Sequence, residues 1–107
     1  MSFQVVLTNQ AKADLISIYR YIAYDLQSPQ TAEGQLSRLE KAIASLDTMP
    51  ERFRVYDRKK WKDRNLRIMS VDHYLVFYIP SQEENTVTVM RIMYGGRDVD
   101  RQFDELQ

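Results

Sequence analysis

The chain has no cysteine. Disulfides, thiolate metal sites and a cysteine nucleophile are therefore excluded. It has a single histidine, His73, so a site built from several imidazoles is excluded as well. No apolar run approaches the roughly 20 residues that a membrane-spanning helix needs, and no membrane partner is expected. The opening stretch MSFQVVLTNQAKADL has no basic region followed by a long apolar run, so no signal peptide is read there and a cytoplasmic location is expected. Net charge is also lacking, with 15 basic and 15 acidic side chains. No nucleotide-cradling glycine loop, Ser/His/Asp set or acidic metal cluster occurs at usable spacing. Neither cofactor nor metal is expected.

The 107 residues, 44% of them hydrophobic, suit one domain spanning 1–107. A chain of this size buries roughly 60–70% of the surface its unfolded form exposes, enough to fold without a covalent staple. The charge balance hides a local excess. Residues 52–67 carry 8 basic and 2 acidic side chains, whereas the segments on either side are net acidic. A cationic block in a neutral protein makes a positive patch without making the whole surface adhesive.

Apolar spacing divides the chain. Phe3–Thr8 is β-branched and apolar, which predicts a strand, and Asn9 can cap the helix that follows. Leu15, Ile18, Ile22 and Leu26 recur at helical spacing, predicting a helix over 11–26. Ser28-Pro29 is a restart signal, because proline at the first helical position loses no hydrogen bond. Ala32, Leu36, Leu39, Ile43 and Leu46 step by 4, 3, 4, 3, predicting a second helix to about Thr48 and an antiparallel hairpin of the pair. Residues 51–65 have no clean period and read as a basic, partly ordered connection. Strands are predicted at 66–71, 73–79 and 86–94, with turns at Asp72 and Pro80–Asn85. In the last strand Val87, Val89, Arg91 and Met93 alternate with Met90, Ile92 and Tyr94. After Gly95-Gly96, Val99, Phe103 and Leu106 mark a short amphipathic helix. The fold class is α+β: an N-terminal strand, an antiparallel helical hairpin, a three-stranded antiparallel meander completing the sheet, and a short C-terminal helix. The hairpin would cover one sheet face, leaving the other free.

Three sets of residues could carry chemistry. Arg58, Lys59, Lys60, Lys62 and Arg64, with Arg52, Arg54 and Arg67 around them, are interleaved with Phe53, Tyr56 and Trp61. Cations beside rings suit phosphate contact and base stacking, while an acidic protein partner or a solvated loop would use the same residues. Arg67, Arg91 and Arg97 could converge from the late strands on a phosphodiester, although Arg97 could equally pair with Asp98 or Asp100. His73 could move protons near neutral pH, and Tyr94 could donate one or stack. Together these predict that the cationic stretch and the strand arginines share one exposed side of the sheet, opposite the helices.

Several stretches resemble the RelE/ParE superfamily of bacterial type II toxin–antitoxin toxins. Ala13-Asp14-Leu15, Ile18, Tyr21-Ile22, Ser28-Pro29, Ala32, Leu39, Ala42-Ile43, Leu46 and Pro50 are similar to the helical hairpin of its ParE branch. Leu66-Arg67-Ile68, Tyr74–Tyr78 and Val87–Asp98 are similar to its sheet, the last ending in Arg91-Ile92-Met93-Tyr94-Gly95-Gly96-Arg97-Asp98. The resemblance implies a growth-inhibiting toxin neutralised by a cognate antitoxin. ParE-like members poison DNA gyrase, and RelE-like members cleave mRNA on the ribosome without metal. For the RNase branch it implies Arg67, Arg97, Tyr94 and His73 as catalytic residues. In that branch the ribose 2′-OH attacks the phosphate, the arginines stabilise the phosphorane, and Tyr94 or His73 moves protons. Two departures, Phe103 where a tyrosine can stand and Tyr74 where an arginine often stands, lean the reading toward the ParE branch. A degenerate, non-toxic interaction or repressor subunit is a further alternative.

Overall fold

The computed structural model describes residues 2–95, apart from the side chains of Lys59 and Lys60. Strand β1 (Gln4–Leu7) leads into helix α1 (Asn9–Arg20), and helix α2 (Pro29–Ala44) runs back beside it. A short strand β2 (Arg54–Val55) and a short helix α3 (Lys59–Asp63) precede strands β3 (Arg67–Val71), β4 (Tyr74–Ser81) and β5 (Thr86–Tyr94). The strands form one sheet in the order β1-β5-β4-β3-β2. β1 pairs with β5 in parallel, because the chain returns to that edge only through the helices and the meander, and every other pair is antiparallel. The expected α+β layout with hairpin and meander is present. The expected C-terminal helix lies outside the described residues.

Local chemistry moves several boundaries. Thr8, not Asn9, caps α1. Its hydroxyl accepts from the Ala11 N–H at 3.0 Å and donates to the Met90 carbonyl at 2.9 Å, so one side chain closes both helix and sheet. The first helix does not run on regularly to Leu26. Over Tyr21–Asp25 it widens into a π turn, with the Leu26 N–H reaching the Tyr21 carbonyl at 3.0 Å. Ile22 and Ala23 turn inward onto Ala32, while Tyr21 and Tyr24 stay exposed. β4 continues through Pro80 to Ser81. Beyond Tyr78 it has no β3 partner, and a strand paired on one side only tolerates a residue without an N–H.

Two clusters of buried side chains close the two faces. On the helix side Leu39, Ile43 and Leu46 meet Met69, Val76, Tyr78, Val87, Val89 and Ile92. On the other side Tyr56, Trp61 and Leu66 meet Ile68, Phe77 and Met93. The face expected to be free is therefore covered by the segment read as an irregular connection. That segment has no visible period because α3 is only five residues long. Asn65, at φ 61°, ends α3 in the left-handed conformation, and the Leu66 N–H bonds to the Trp61 carbonyl at 3.1 Å. Tyr56 meets Phe77 edge to face with centroids 5.4 Å apart. Burying a large apolar side chain contributes about 1.5–3 kcal/mol, which is how a two-residue strand and one helical turn can hold a whole face.

The regular alternation read in the last strand is broken. Phe77 lies opposite Arg91 but Tyr78 lies opposite Val89, so Met90 is an extra residue in the ladder. The bulge puts Val87, Val89 and Ile92 on the helix side and Met90 and Met93 on the other. Periodicity alone does not reveal such a shift.

Candidate functional site

Arg67 of β3 and Arg91 of β5 are held by partners within the fold. Arg67 donates from Nη1 to the carbonyls of Glu51 (2.9 Å) and Phe53 (2.7 Å) and from Nε to Asn65 Oδ1 (3.2 Å). Its Nη2 is 4.0 Å from the Glu51 carboxylate, and its side chain is 16% exposed. It braces the turn at Pro50–Arg52 against the start of β3. Arg91 forms a bidentate pair with Asp14 of α1, at 2.7 and 2.9 Å, and Asp14 also accepts the Ile92 N–H at 2.9 Å. The cause is topological. β1 ends opposite Val89, so β5 beyond that point is an open edge. α1 crosses it and supplies the carboxylate that the edge lacks. The expectation that the strand arginines converge on an exposed side is thus corrected: Arg67 serves a loop next to β2 and Arg91 serves a helix at the other edge.

The residues of the basic segment have two fates. Arg54, Arg58, Lys62 and Arg64 are exposed, whereas Trp61 and Tyr56 are 4% and 5% exposed. The rings therefore anchor the segment to the sheet, and the expectation that Trp61 contacts the target directly is corrected, because its faces are covered. Arg64 lies 5.0 Å over the Trp61 ring and Lys62 is 3.6 Å from Asp57. Arg52 turns back to cap the end of the α2 region, donating to the Thr48 carbonyl at 2.6 Å.

His73 and Tyr94 come together at the far end of the sheet. His73 sits in the β3–β4 turn rather than opening a strand, and its ring is 6.5 Å from that of Tyr94. Tyr74 lies 5.9 Å from Tyr94, edge to face. With Ile18, Tyr21, Ile22 and Leu26 they line a groove of about 600 Å³. Burial pushes the Tyr74 phenol up, with Tyr94 and Tyr21 adding to the effect, so it stays neutral. The turn is fastened by Asp72, which accepts from Arg38 Nε at 2.8 Å and from Gln35 Nε2 at 3.0 Å. Those hydrogen bonds hold its carboxyl below the usual carboxylate range. Arg67 is four residues from Val71, about 13 Å along β3, so it lies away from the His73–Tyr94 pair. Arg97 and Phe103 lie outside the described residues.

Sequence reasoning missed Asp14, Asp72 and Tyr21. Tyr21 and Tyr24 were visible as aromatics off the buried stripe, but Asp14 has no sequence signal that distinguishes it from any other helix carboxylate. A second groove, of about 420 Å³, runs along α1 beside Leu15, Ile16, Tyr19, Tyr24 and Leu36. Among the described residues, no group of three or more His, Asp or Glu side chains could hold a metal ion, and no helix is long and apolar enough to cross a membrane.

The family model described as "ParE toxin of type II toxin-antitoxin system, parDE" matches residues 5–99. Among solved structures, the chromosomal ParDE system of P. aeruginosa superposes with a TM-score of 0.71 at 15% identity, covering 87% of this chain and 96% of that one. The RelBE2 toxin–antitoxin complex of Mycobacterium tuberculosis gives 0.63 at 19% identity, covering 88% and 99%. The archaeal RelE–RelB complex of Pyrococcus horikoshii gives 0.62 at 19% identity, covering 91% and 99%. At these identities the likeness is one of fold. No curated protein matches significantly. The helical hairpin, the parallel first strand and the meander are shared architecture, and the family model spans nearly all of it: the chain belongs to the ParE toxin family of type II toxin–antitoxin systems.

Proposed function

We propose that this protein arrests growth when its antitoxin is absent, by engaging DNA gyrase in the ParE manner rather than by cutting RNA. The observation that carries this reading is the state of Arg67. The guanidinium implied for holding a scissile phosphate is committed to two backbone carbonyls and an asparagine. Using it in catalysis would break these three exposed or half-buried hydrogen bonds, at a cost of about 0.5–1.5 kcal/mol each, and would release the Pro50–Arg52 turn from β3. Arg91 is committed in the same way to Asp14. The match to the ParE family supports the same side. The antitoxin partner is supported by the solved relatives, which are toxin–antitoxin systems. Its apolar anchors would lie over the exposed Ile16, Tyr21, Tyr24 and Leu26 of the hairpin.

The RNase reading retains one specific support, the 6.5 Å approach of His73 to Tyr94. In that reading the ribose 2′-OH attacks the adjacent phosphate and this pair moves the protons.

Inducing the protein alone, then following DNA damage signalling and mRNA integrity, separates the readings. Growth arrest with an SOS response and intact mRNA is expected. Rapid mRNA cleavage without the SOS response would replace gyrase by the ribosome as the target. Unchanged growth at good soluble expression would leave only a degenerate interaction subunit.

A further inference from the structure

The surface formed by residues 54–64 is not explained by the fold alone. We infer that it is a docking surface for the phosphate backbone of duplex DNA. This deepens the gyrase reading above, since gyrase works on DNA, and rests on it for the choice of DNA over RNA.

Three observations carry the inference. The first is charge density. Six basic and two acidic side chains fall within residues 54–64 of a protein whose net charge is zero. Of these, Arg54, Arg58, Lys62 and Arg64 are exposed. Duplex DNA offers about one negative charge per 1.7 Å of axis, and each phosphate neutralised releases counterions.

The second is the fate of the rings. A surface for single strands stacks bases on exposed aromatics. Here Tyr56 and Trp61 are buried against Phe77, Ile68 and Met93, so the segment presents cations without a stacking platform. The chemistry that remains reads the backbone, where phosphate contacts position without specifying sequence.

The third is the absence of apolar anchors. A protein partner needs a desolvated apolar or aromatic centre. The exposed large hydrophobic residues described, Ile16, Tyr21, Tyr24, Leu26, Met49 and Tyr94 with Val6, all lie outside 54–64. An acidic protein would find charge here but nothing to bury. The basic surface and the apolar hairpin surface are separate, so one can take the antitoxin while the other faces the target.

The test uses the purified full chain and fluorescence anisotropy with a short mixed-sequence DNA duplex. Single-stranded DNA of the same length, an RNA duplex and a polyglutamate peptide are the comparison arms. Duplex DNA should bind most tightly, with affinity falling steeply between about 50 and 200 mM salt. Arg54→Glu/Lys62→Glu/Arg64→Glu should lower affinity at least about tenfold and flatten the log–log salt slope by about 3. Because Arg64 packs over Trp61, Lys62→Glu serves as the second variant. Its side chain is 63% exposed, and it should flatten the slope by about 1. Lys41→Glu, an exposed cation on α2, should change neither quantity.

Equal or tighter binding of the single strand, the RNA duplex or polyglutamate would overturn the inference. So would equal effects of Lys62→Glu and Lys41→Glu, or no binding at low salt. Failure here leaves the growth-arrest reading standing, because that reading is judged in cells by SOS induction. Conversely, DNA binding without growth arrest would remove the toxin reading and keep the surface.

Discussion

The two faces of this sheet are closed by different means. On one, two helices of 12 and 16 residues lay down an aliphatic stripe against Val76, Val87 and Val89. On the other, a short segment does the same work with two rings, Tyr56 just after β2 and Trp61 in the five-residue α3, against Phe77 and Met93. The first face spreads its burial over many interchangeable contacts. The second concentrates it in a few large ones, and thereby frees nearly every other position of the segment to be charged. A cationic surface can sit directly above a core when aromatic anchors carry the packing. The arginines divide along the same line: those at the seams of the fold, Arg67 and Arg91, are consumed by it, and those above the anchors are displayed.

This contrast can be broken most strongly at Trp61. Trp61→Ala should cost about 3–5 kcal/mol in denaturant unfolding. It should also raise hydrogen exchange in residues 54–66 more than in α1 and α2. Equal exchange on both faces would show that the two faces open as one unit. Asp14→Ala tests the seam at the open edge. It strands the Arg91 guanidinium and the Ile92 N–H together, and a loss of about 1.5–3 kcal/mol is expected from the charged hydrogen bonds. A loss below that range would mean that water replaces the carboxylate easily.

Tyr78→Phe gives a smaller effect on the helix side, about 1–2 kcal/mol, by leaving the Pro50 carbonyl without its 2.6 Å partner. Burial pushes the Tyr78 phenol up to about 12, above its ordinary 10.0, with Arg67 and Arg52 opposing the shift. The unfolded chain then loses that proton first. Stability contributed by the group is complete below about pH 10 and is lost as pH rises through about 12, and Tyr78→Phe should flatten that alkaline limb. The smallest effect is expected at Asp72, whose carboxyl the Arg38 and Gln35 hydrogen bonds hold below its ordinary value. The stabilisation is present at neutral pH and is lost on acidification through the lowered value. The stability gap between the parent and Asp72→Asn should therefore close in acid, and a gap independent of pH would contradict the pairing.

Most of the frame was legible in the pattern. Leu39, Ile43 and Leu46 lie on the helical stripe that their spacing implies, and the meander strands fall within a residue or two of their predicted ends. Gln35, not Leu36, occupies one buried position of α2, where it donates to Asp72 in the β3–β4 turn. The segment 51–65 was opaque, since one helical turn has too few residues to show a period. The pair Arg91–Asp14 was opaque for another reason: the partners are far apart in the chain, and only the open edge of β5 makes them meet.

Short-range order was thus written in the residues: amphipathic stripes, turn formers and caps act between neighbours, and neighbours are known from the chain itself. The destination of each charge was not. Whether a guanidinium braces a loop, pairs with a helix or faces solvent depends on which distant backbone leaves an acceptor unmet nearby. That is a property of strand order and of one bulge at Met90, which exist only once the chain has closed on itself.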